Sequence, residues 1–344
     1  HAEEILSMLE RADVDILVFA KSKLDVVKAV YGKVPTVKHY ICMDKLNNDD
    51  YLFLGDLIEK GNSLLKEGNR DFIDATIDPE EMTILLFTSG TTSKSKAVML
   101  CQKNICKNLM SMFSMLYIDP KDMFMSVLPL HHTYECTCGF LGQVYRGTTI
   151  AICEGLRYIT TNIKEFKPTC VLMVPAMLEM FYRGIMKKLN SDPKLLKKFN
   201  MGRKLSNILL KFKIDIRRKL FADIHNNFGG NLRLLIVGGA PVDPSILQFF
   251  IDIGIFTCQG YGLTECSPIL ALNRNCDYKN HAAGLPIVGT EVKILNPDED
   301  GIGEFIAKGD NIFLGYFKNE EATKEDNYFN PHEFDVDEFK ENNS

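Results

Sequence analysis

The chain has 344 residues, of which 46% are hydrophobic and 25% are charged, values that are ordinary for a globular protein. Its formal net charge of −5 argues against a dedicated nucleic-acid binder, because such proteins usually carry a basic excess. Ten cysteines without a regular spacing are typical of a reducing compartment, so we expect a cytoplasmic protein and not a disulfide scaffold.

The first third of the chain alternates amphipathic helical segments with short apolar segments. The pattern predicts helices over Glu3–Arg11, Lys23–Tyr31 and Leu54–Glu67, and strands over Val14–Ala20 and Val37–Cys42. Apolar strands that alternate with helices favour a parallel sheet covered on both faces, so we expect the first strand to be buried on both sides.

The same alternation of strands and helices continues through the middle of the chain, and a different pattern of short strands follows it. A helix is predicted over Gly139–Arg146. The predicted strands are Met123–Pro129, Thr148–Cys153, Cys170–Val174, Leu232–Val237 and Ile255–Gln259. From Gly284 onward, short strands are separated by Gly, Pro and Asp, which is typical of antiparallel structure such as a small barrel.

A polar loop separates two apolar runs in the segment Thr83–Leu100 (TILLFTSGTTSKSKAVML). Free backbone N–H groups and hydroxyls can hold phosphate oxygens, and Lys96 adds positive charge where a pyrophosphate would leave. A P-loop is excluded, because Ser95 and Ala97 flank the lysine where that motif needs Gly and Ser or Thr, and a strand follows where it needs a helix. On this stretch alone, a polar hairpin turn is the alternative.

Two predicted strands end in segments that suit a ligand, which in open α/β sheets binds at the carboxyl ends of the strands. In Cys258–Pro268 (CQGYGLTECSP), Tyr261 can stack on a base, Thr264 can donate to a phosphate and Glu265 can ligate Mg²⁺. In Val237–Pro241 (VGGAP), glycines allow the backbone to approach a ring closely.

These motifs, taken in order, resemble the adenylate-forming (AMP-binding) superfamily. The segments that carry the resemblance are TSGTTSKSK, LPLHH, VGGAP, YGLTE and GEFIAKGDNIFLGYFKN. A basic helical segment before FGGNLRLLIVGGAP resembles the long-chain fatty-acyl-CoA synthetase branch, and the likeness extends from about Glu3 to Thr323. The implied fold is α/β, with stacked Rossmann-like parallel sheets flanked by helices and a small β-barrel-like subdomain.

The implied reaction uses ATP and Mg²⁺ to convert a fatty acid to acyl-AMP, after which CoA displaces AMP. An acyl carrier protein or a peptide-synthetase module is an alternative acceptor. An alternative of another class is a non-catalytic nucleotide-binding remnant.

The resemblance also implies roles for individual residues. The implied phosphate loop consists of Thr88, Ser89, Gly90, Thr91, Thr92 and Lys96. The residues implied around the adenine are Gly238, Gly239, Ala240 and Tyr261. Thr264 would contact the α-phosphate, Glu265 the Mg²⁺ ion, and His132 in LPLHH the acyl carboxylate. The implied catalytic set is therefore Thr264, Glu265, Lys96 and His132.

The chain also departs from the family pattern. Ser93 and Ser95 stand where the family usually has Gly and Pro, so we expect slower closure of the loop. No segment after Thr323 resembles the small C-terminal lid domain, and we expect the 344 residues alone not to complete the full reaction. The implied domains are 1–75 (remainder of a first α/β subdomain), 76–280 (AMP-binding α/β core), 281–324 (barrel-like subdomain) and 325–344 (an unassigned acidic tail).

Two further segments each allow two interpretations. Basic residues dominate Arg183–Lys219, opposed only by Asp192 and Asp215, which fits a solvated helix surface or peripheral contact with an anionic membrane or cofactor. The segment His131–Cys138 (HHTYECTC) holds side chains that can bind zinc, but adjacent histidines converge poorly, so we favour ordinary core cysteines.

Overall fold

The computed structural model describes residues 2–47, 50–88 and 95–325. The α-helices of these residues are α1 (Ala2–Arg11), α2 (Leu24–Val30), α3 (Leu54–Lys66), α4 (Gln102–Met115), α5 (Gly142–Arg146), α6 (Ile159–Phe166), α7 (Pro175–Asn190), α8 (Pro193–Lys211), α9 (Arg217–Leu220), α10 (Ala222–Asn227), α11 (Pro244–Asp252) and α12 (Glu320–Glu325). A π-helix covers Tyr134–Leu141 and leads directly into α5. No helix of the described residues is both long and apolar enough to cross a membrane.

The strands alternate with these helices over most of the chain. They are β1 (Ile16–Phe19), β2 (His39–Cys42), β3 (Leu52–Phe53), β4 (Met82–Thr88), β5 (Lys96–Cys101), β6 (Met123–Ser126), β7 (Thr149–Ile152), β8 (Cys170–Met173), β9 (Leu234–Val237), β10 (Phe256–Gly262), β11 (Ile269–Leu272), β12 (Leu285–Pro286), β13 (Thr290–Leu295), β14 (Glu304–Gly309) and β15 (Gly315–Tyr316). The alternation predicted from the sequence is therefore confirmed, and the α/β class with it.

The chain divides into two compact units. The first contains the described residues of His1–Glu81, Phe87–Ala97 and Tyr316–Glu320. The second contains the described residues of Met82–Leu86, Val98–Gly315 and Glu321–Ser344. The domain boundaries expected from the sequence stay predictions.

The first unit contains a parallel sheet in the order β1-β2-β3. Leu9 of α1 and Val27 of α2 pack with Phe19 of β1 in one apolar cluster. Side chains alternate along a strand, and the other side of β1 leaves Ile16 and Val18 half exposed, at 50% and 49%. The expectation that this strand is buried on both faces is wrong, because a run of apolar residues does not reveal what covers each side.

The second unit is built on a seven-stranded sheet in the order β12-β11-β10-β9-β8-β6-β7. The strands from β10 to β7 are parallel, whereas β11 and β12 run antiparallel. Alternate residues of these strands face opposite ways, so Leu235 and Val237 join a core with α7 and α11, while Leu234 and Ile236 join one with α4. Helices therefore cover both faces of this sheet, as predicted from the alternation of strands and helices.

Two predicted segments differ in detail. The helix expected over Gly139–Arg146 begins earlier, as the π-helix, and becomes α-helical only at Gly142. The barrel-like subdomain expected over 281–324 takes the form of an antiparallel ribbon, β13 with β14, while β12 extends the large sheet and β15 joins β5. Among the described residues these strands do not close into a barrel.

Candidate active site

The carboxyl ends of the parallel strands meet at one edge of the seven-stranded sheet. Met173 at the end of β8 pairs with Val237 at the end of β9, which pairs in turn with Gln259 of β10. The segments that leave these strands carry the VGGAP, YGLTE and LPLHH motifs, so the structure brings the predicted residues of the second unit to a common edge.

The glycine turn after β9 lies against an aromatic ring. The amide of Gly238 donates to the carbonyl of Met173 at 3.1 Å, and a Cβ on Gly238 would come within 3.1 Å of Cζ of Tyr134. Gly239 has φ +91°, a conformation that side chains disfavour. Gly239 and Ala240 are exposed, so the turn offers bare backbone at the edge of the sheet.

Tyr261 lies near the end of β10, which extends beyond the predicted end at Gln259. Tyr261 is 41% exposed, and its ring meets that of Phe305 edge to face, with 5.6 Å between the ring centroids. Partial burial raises the pKa of Tyr261. A Cβ on the next residue, Gly262, would overlap the carbonyl oxygen of Pro268, so the strand and the following loop pack backbone against backbone. The ring is held from one side and remains accessible.

A hydrogen bond between two threonines joins the loop after β10 to the loop after β6. The hydroxyl of Thr133 donates to the hydroxyl of Thr264, with 3.1 Å between the oxygens, and Thr133 is only 5% exposed. Because Thr133 directly follows His132, this bond brings the LPLHH segment beside the YGLTE segment. Thr133 could not be identified from the sequence, since nothing local distinguishes it from other threonines.

His132 is exposed beside His131, with 4.3 Å between the two ring centroids. Partial burial and the charge of His131 lower the pKa of His132. The imidazole is therefore neutral at pH 7, with one ring N–H to donate and one nitrogen to accept.

Two buried asparagines hold the loop that follows Glu265. The side-chain amide of Asn108 on α4 donates to the carbonyls of Cys266 and Ile269 at 3.0 and 2.8 Å. The amide of Asn311 donates to the same two carbonyls at 3.2 and 3.3 Å. Both side chains are at most 2% exposed, so the loop is fixed by hydrogen bonds that water does not replace.

A third asparagine on α4 extends this anchoring. Asn104 donates to the carbonyls of Asp310 and Ile312 at 2.9 and 2.7 Å, which fixes the segment that carries Asn311. The carbonyl of Glu265 also accepts a hydrogen bond from the amide of Phe313 at 2.8 Å. The sequence does carry a signal for this anchoring, namely two asparagines one helical turn apart on a helix with many apolar residues.

The π-helix also contains a buried acid that was not predicted from the sequence. Glu135 is 1% exposed, and neither carboxylate oxygen has a well-formed hydrogen bond to any residue in the described ranges. Burial raises the pKa of Glu135, and the hydroxyl of Ser126 with the amides of Val127 and Leu128 offsets part of this effect. The acid therefore faces the loop that carries LPLHH.

The space beside the π-helix is small in this structure. A cavity lined by Tyr134, Cys138, Gln143 and residues of α4 has a volume of about 10 Å³, which holds about one water molecule. A long acyl chain can enter here only if these side chains move.

The residues that border the predicted phosphate loop belong to the first unit. The hydroxyl of Thr88 donates to the carbonyl of Lys96 at 3.4 Å, and the ammonium of Lys96 lies 4.5 Å from the centroid of the Tyr316 ring. Arg11 donates to the hydroxyl of Ser95 at 3.2 Å and also to its carbonyl. The remaining members, Ser89, Gly90, Thr91 and Thr92, lie outside the described residues.

The AMP-binding enzyme family matches residues 1–317 of the chain. The chain belongs to this family. Among curated relatives, it is 27% identical to rat (Rattus norvegicus) long-chain-fatty-acid–CoA ligase 5, with 94% of the chain and 51% of the ligase covered. It is 26% identical to fatty acyl-CoA synthetase B of Dictyostelium discoideum, with 94% and 52% covered. The chain thus spans about half the length of these relatives.

The fold is likewise that of solved AMP-binding structures. An anthranilate–CoA ligase in complex with anthranoyl-AMP superimposes with a TM-score of 0.71 at 17% identity, covering 94% of this chain and 56% of that one. At this level of identity the match concerns the fold alone.

The donor set at Glu265 suits a magnesium ion that arrives with a nucleotide. No cluster of three or more His, Cys, Asp or Glu side chains that could bind a metal exists within 2–47, 50–88 and 95–325. Magnesium in nucleotide sites is usually held by one or two carboxylates together with phosphate oxygens and water. A half-buried single carboxylate, as at Glu265, fits that mode of binding.

Proposed function

We propose that this chain binds nucleotide and acyl substrate in an enzyme that activates a long-chain fatty acid with ATP and transfers the acyl group to CoA. The observation that carries the proposal is the Thr133–Thr264 hydrogen bond, because it joins the segment of His132 to the strand end that bears Tyr261. A reaction between a carboxylate and a nucleotide needs both segments at one place. Membership of the AMP-binding family and the names of its relatives support the same reaction.

In the first half-reaction, a carboxylate oxygen of the fatty acid attacks the α-phosphorus of ATP. The bond from this phosphorus to the bridging oxygen breaks, pyrophosphate leaves and acyl-AMP forms. Tyr261 stacks on the adenine beside the turn Gly238, Gly239 and Ala240. Thr264, oriented by the buried hydroxyl of Thr133, donates to an α-phosphate oxygen.

Three further groups interact with the negative charges of the carboxylate and the phosphates. His132, neutral because its pKa is lowered, donates a ring N–H to the carboxylate and leaves it ionised as a nucleophile. As the family resemblance implies, the segment Thr88–Thr92 and Lys96 would hold the departing pyrophosphate. When bound at Glu265, Mg²⁺ supplies charge neutralisation for the phosphates.

In the second half-reaction, the deprotonated thiol of CoA attacks the acyl carbonyl. The acyl–phosphate bond breaks, AMP leaves and a thioester forms. The thiol of an acyl carrier protein or of a peptide-synthetase module would react in the same way, so the acceptor has to be measured. A non-catalytic nucleotide-binding role would leave AMP binding intact without any of these steps.

The test is ATP–pyrophosphate exchange by the protein in its natural length, across carboxylic acids from acetate to C18. We expect exchange to depend on added acid and to favour long chains, because each buried methylene adds about 0.8 kcal/mol. Glu265→Gln should slow exchange about 10²–10³-fold, whereas Glu299→Gln, at an exposed position of the second unit, should leave it unchanged. Preference for acetate contradicts the substrate assignment. Nucleotide binding without exchange for any acid favours the non-catalytic role.

We also propose that α8 attaches the protein peripherally to anionic membrane surfaces. Met201, Leu205, Ile208 and Phe212 recur at helical spacing and are each more than half exposed. Lysines, including Lys204, flank this apolar stripe, as in helices that lie in a membrane interface.

Each Lys or Arg near an anionic membrane surface adds about 1 kcal/mol of binding free energy at most. Binding to anionic vesicles should therefore exceed binding to neutral vesicles, and added salt should weaken it. Leu205→Gln with Ile208→Gln should reduce it. A solvated surface predicts equal or absent binding to both kinds of vesicle.

A further inference from the structure

The side chain of Arg11 contacts the protein on both sides of the predicted phosphate loop. Its guanidinium carbon lies 5.0 Å from the centroid of the ring of Phe87, a residue of β4, which is within the range of a cation–π contact. On the other side of the loop, Nη1 donates to the hydroxyl of Ser95 at 3.2 Å, and Nη2 donates to the carbonyl of the same residue. Arg11 and Ser95 are 84 positions apart in the sequence, so no local pattern predicts this contact.

The position of Arg11 is fixed by the packing of α1. Arg11 is the last residue of this helix, where a basic side chain interacts favourably with the helix dipole. Leu9, two positions earlier, is 6% exposed and belongs to the apolar cluster of the first unit. The amide of Ala12 donates to the carbonyl of Met8 at 3.0 Å, which completes the last turn. The guanidinium is therefore carried by a helix end whose backbone is held in place within the unit that also contains Ser95.

A second connection joins the end of α1 to the strand that follows the loop. Asp13 forms an ion pair with Lys318. The amide of the adjacent Phe317 donates to the carbonyl of Ala97, the second residue of β5, at 2.8 Å. Lys96, the first residue of β5, therefore lies between two neighbours that each bond to another part of the first unit. The position of its backbone depends on both connections.

Ser95 stands where the family usually has proline. Proline fixes its own φ at about −65° and so restrains the backbone just before Lys96. Serine leaves φ free, but its hydroxyl and its carbonyl supply the two oxygens to which Arg11 donates. A guanidinium donates to two oxygens at once from one rigid plane, whereas an ammonium has no such fixed geometry. The two hydrogen bonds therefore restrain a backbone position that serine alone would leave unrestrained.

We infer that Arg11 is a positioning residue for Lys96. It holds the backbone at Ser95 so that the ammonium of Lys96 reaches the pyrophosphate that leaves in the first half-reaction. Arg11 acts through Ser95 and does not contact the nucleotide itself. The inference rests on the proposed function, in which Lys96 stabilises the leaving group.

The experiment measures ATP–pyrophosphate exchange by the natural-length protein with hexadecanoate as the acid. Arg11→Met should lower kcat about tenfold and change KM for ATP less than about twofold, because a misplaced Lys96 loses contact with the charge that develops on the leaving group. Arg11→Lys should lose about as much, since it keeps the charge but not the planar group. Arg70→Met is the matched control and should equal the wild type, because Arg70 is an exposed residue of the same unit that pairs with Asp74.

Rescue by proline separates positioning from general stabilisation. Ser95→Pro added to Arg11→Met should restore kcat to within about threefold of the wild type, because proline supplies the backbone restraint that the guanidinium provided. Ser95→Ala removes the hydroxyl and supplies no restraint, so it should restore nothing in Arg11→Met. Thermal unfolding shows whether each variant folds, and Arg11→Gln is the second variant if Arg11→Met does not fold.

A second readout requires ATP but no fatty acid. In an acyl phosphate of ATP, the acyl group lies next to the phosphates; a nearby amine attacks the acyl carbonyl, ATP leaves and an amide forms. Mass spectrometry then measures the fraction of Lys96 that is acylated. We expect Lys96 to react in the wild type, Arg11→Met to lower this fraction about tenfold, and Ser95→Pro to restore it. If no acid supports exchange while the acylation of Lys96 still follows these substitutions, the proposed function is wrong and the positioning role stands.

Four results would overturn the inference. Wild-type kcat and acylation in Arg11→Met would mean that the contact has no role in the reaction. Full activity in Arg11→Lys would mean that Arg11 acts by its charge alone. A raised KM for ATP with unchanged kcat in Arg11→Met would mean that Arg11 binds the nucleotide. Failure of Ser95→Pro to restore either readout would mean that the contact with Ser95 does not position Lys96.

Discussion

The two faces of the seven-stranded sheet are packed by different means. On the face of α4 and the π-helix, the remaining cavity is about 10 Å³, and buried polar side chains such as Asn108, Gln143 and Glu135 lie among the apolar ones. On the face of α6 to α8, a crevice of about 520 Å³ remains open between the helices. Buried hydrogen bonds specify one arrangement of side chains, which suits a site that must position reacting atoms. Apolar contacts are less specific and allow the side chains to repack.

The largest effect should come from placing the same side chain on each face. Gly139→Leu should destabilise the protein by about 3 kcal/mol, because a Cβ there already lies 2.7 Å from Cδ of the buried Glu135. Gly184→Leu should instead stabilise it by about 1 kcal/mol, through better helix propensity and new apolar contacts. Urea unfolding of both variants measures the difference. Equal effects would mean that the two faces do not differ in packing.

A smaller, pH-dependent effect should come from Glu135→Gln. Burial raises the pKa of the native carboxyl above its ordinary value of 4.5, so the native state holds its proton to higher pH than the unfolded chain does. The stabilisation is therefore full below pH 4.5 and is lost as pH rises through the native pKa. The loss has a slope of at most about 1.4 kcal/mol per pH unit.

The Gln variant lacks this ionisation and should not show the decline. Unfolding free energies of both proteins, measured from pH 4 to pH 8, should diverge in favour of the variant as pH rises. Parallel curves would show that the carboxylate is adequately hydrogen-bonded in the native state. Glu299→Gln, which alters an exposed acid, is the matched control.

The smallest effect is expected from replacing two buried threonines on the face of α4 and the π-helix, Thr133 and Thr137, which should respond differently. Thr133→Val removes the hydrogen bond to Thr264 and should cost about 1 kcal/mol, with a roughly fivefold slower exchange reaction. Thr137 is fully buried, and its hydroxyl has no hydrogen-bond partner among the residues that the structure describes. Thr137→Val should therefore be neutral or stabilising by up to about 1 kcal/mol. The comparison requires stability and exchange rates for both variants. A slower exchange in Thr137→Val alone would reverse the roles assigned here.

Much of the fold could be predicted because its signals are local. The apolar strands β8, β9 and β10 stand out against amphipathic helices, and their parallel arrangement follows from that alternation. The burial of β1 could not be predicted in this way, since Ile16 and Val18 look like core residues but are half exposed. What covers a strand depends on residues far away in the sequence.

The same distinction applies to the site. Tyr261, Thr264 and the glycine turn were identified from short motifs at strand ends, and the structure brings them to one edge. Thr133 could not be predicted because its hydrogen-bond partner is 131 residues away in the sequence. A contact over such a separation leaves no periodic pattern in the sequence. The roles of Ser89 to Thr92 stay predictions, as do the individual catalytic assignments.

The asparagines of α4 have a consequence for the order of events during synthesis. The carbonyls that Asn104 binds belong to residues 206 and 208 positions later in the chain. At about 5–20 residues per second, a ribosome needs about 10–40 s to add that length. Throughout this interval the side-chain NH₂ group of Asn104 has only water or temporary partners. The loop after Glu265 can therefore reach its final form only after Asp310 and Ile312 have left the exit tunnel, so ligand binding is among the last properties that the nascent protein acquires.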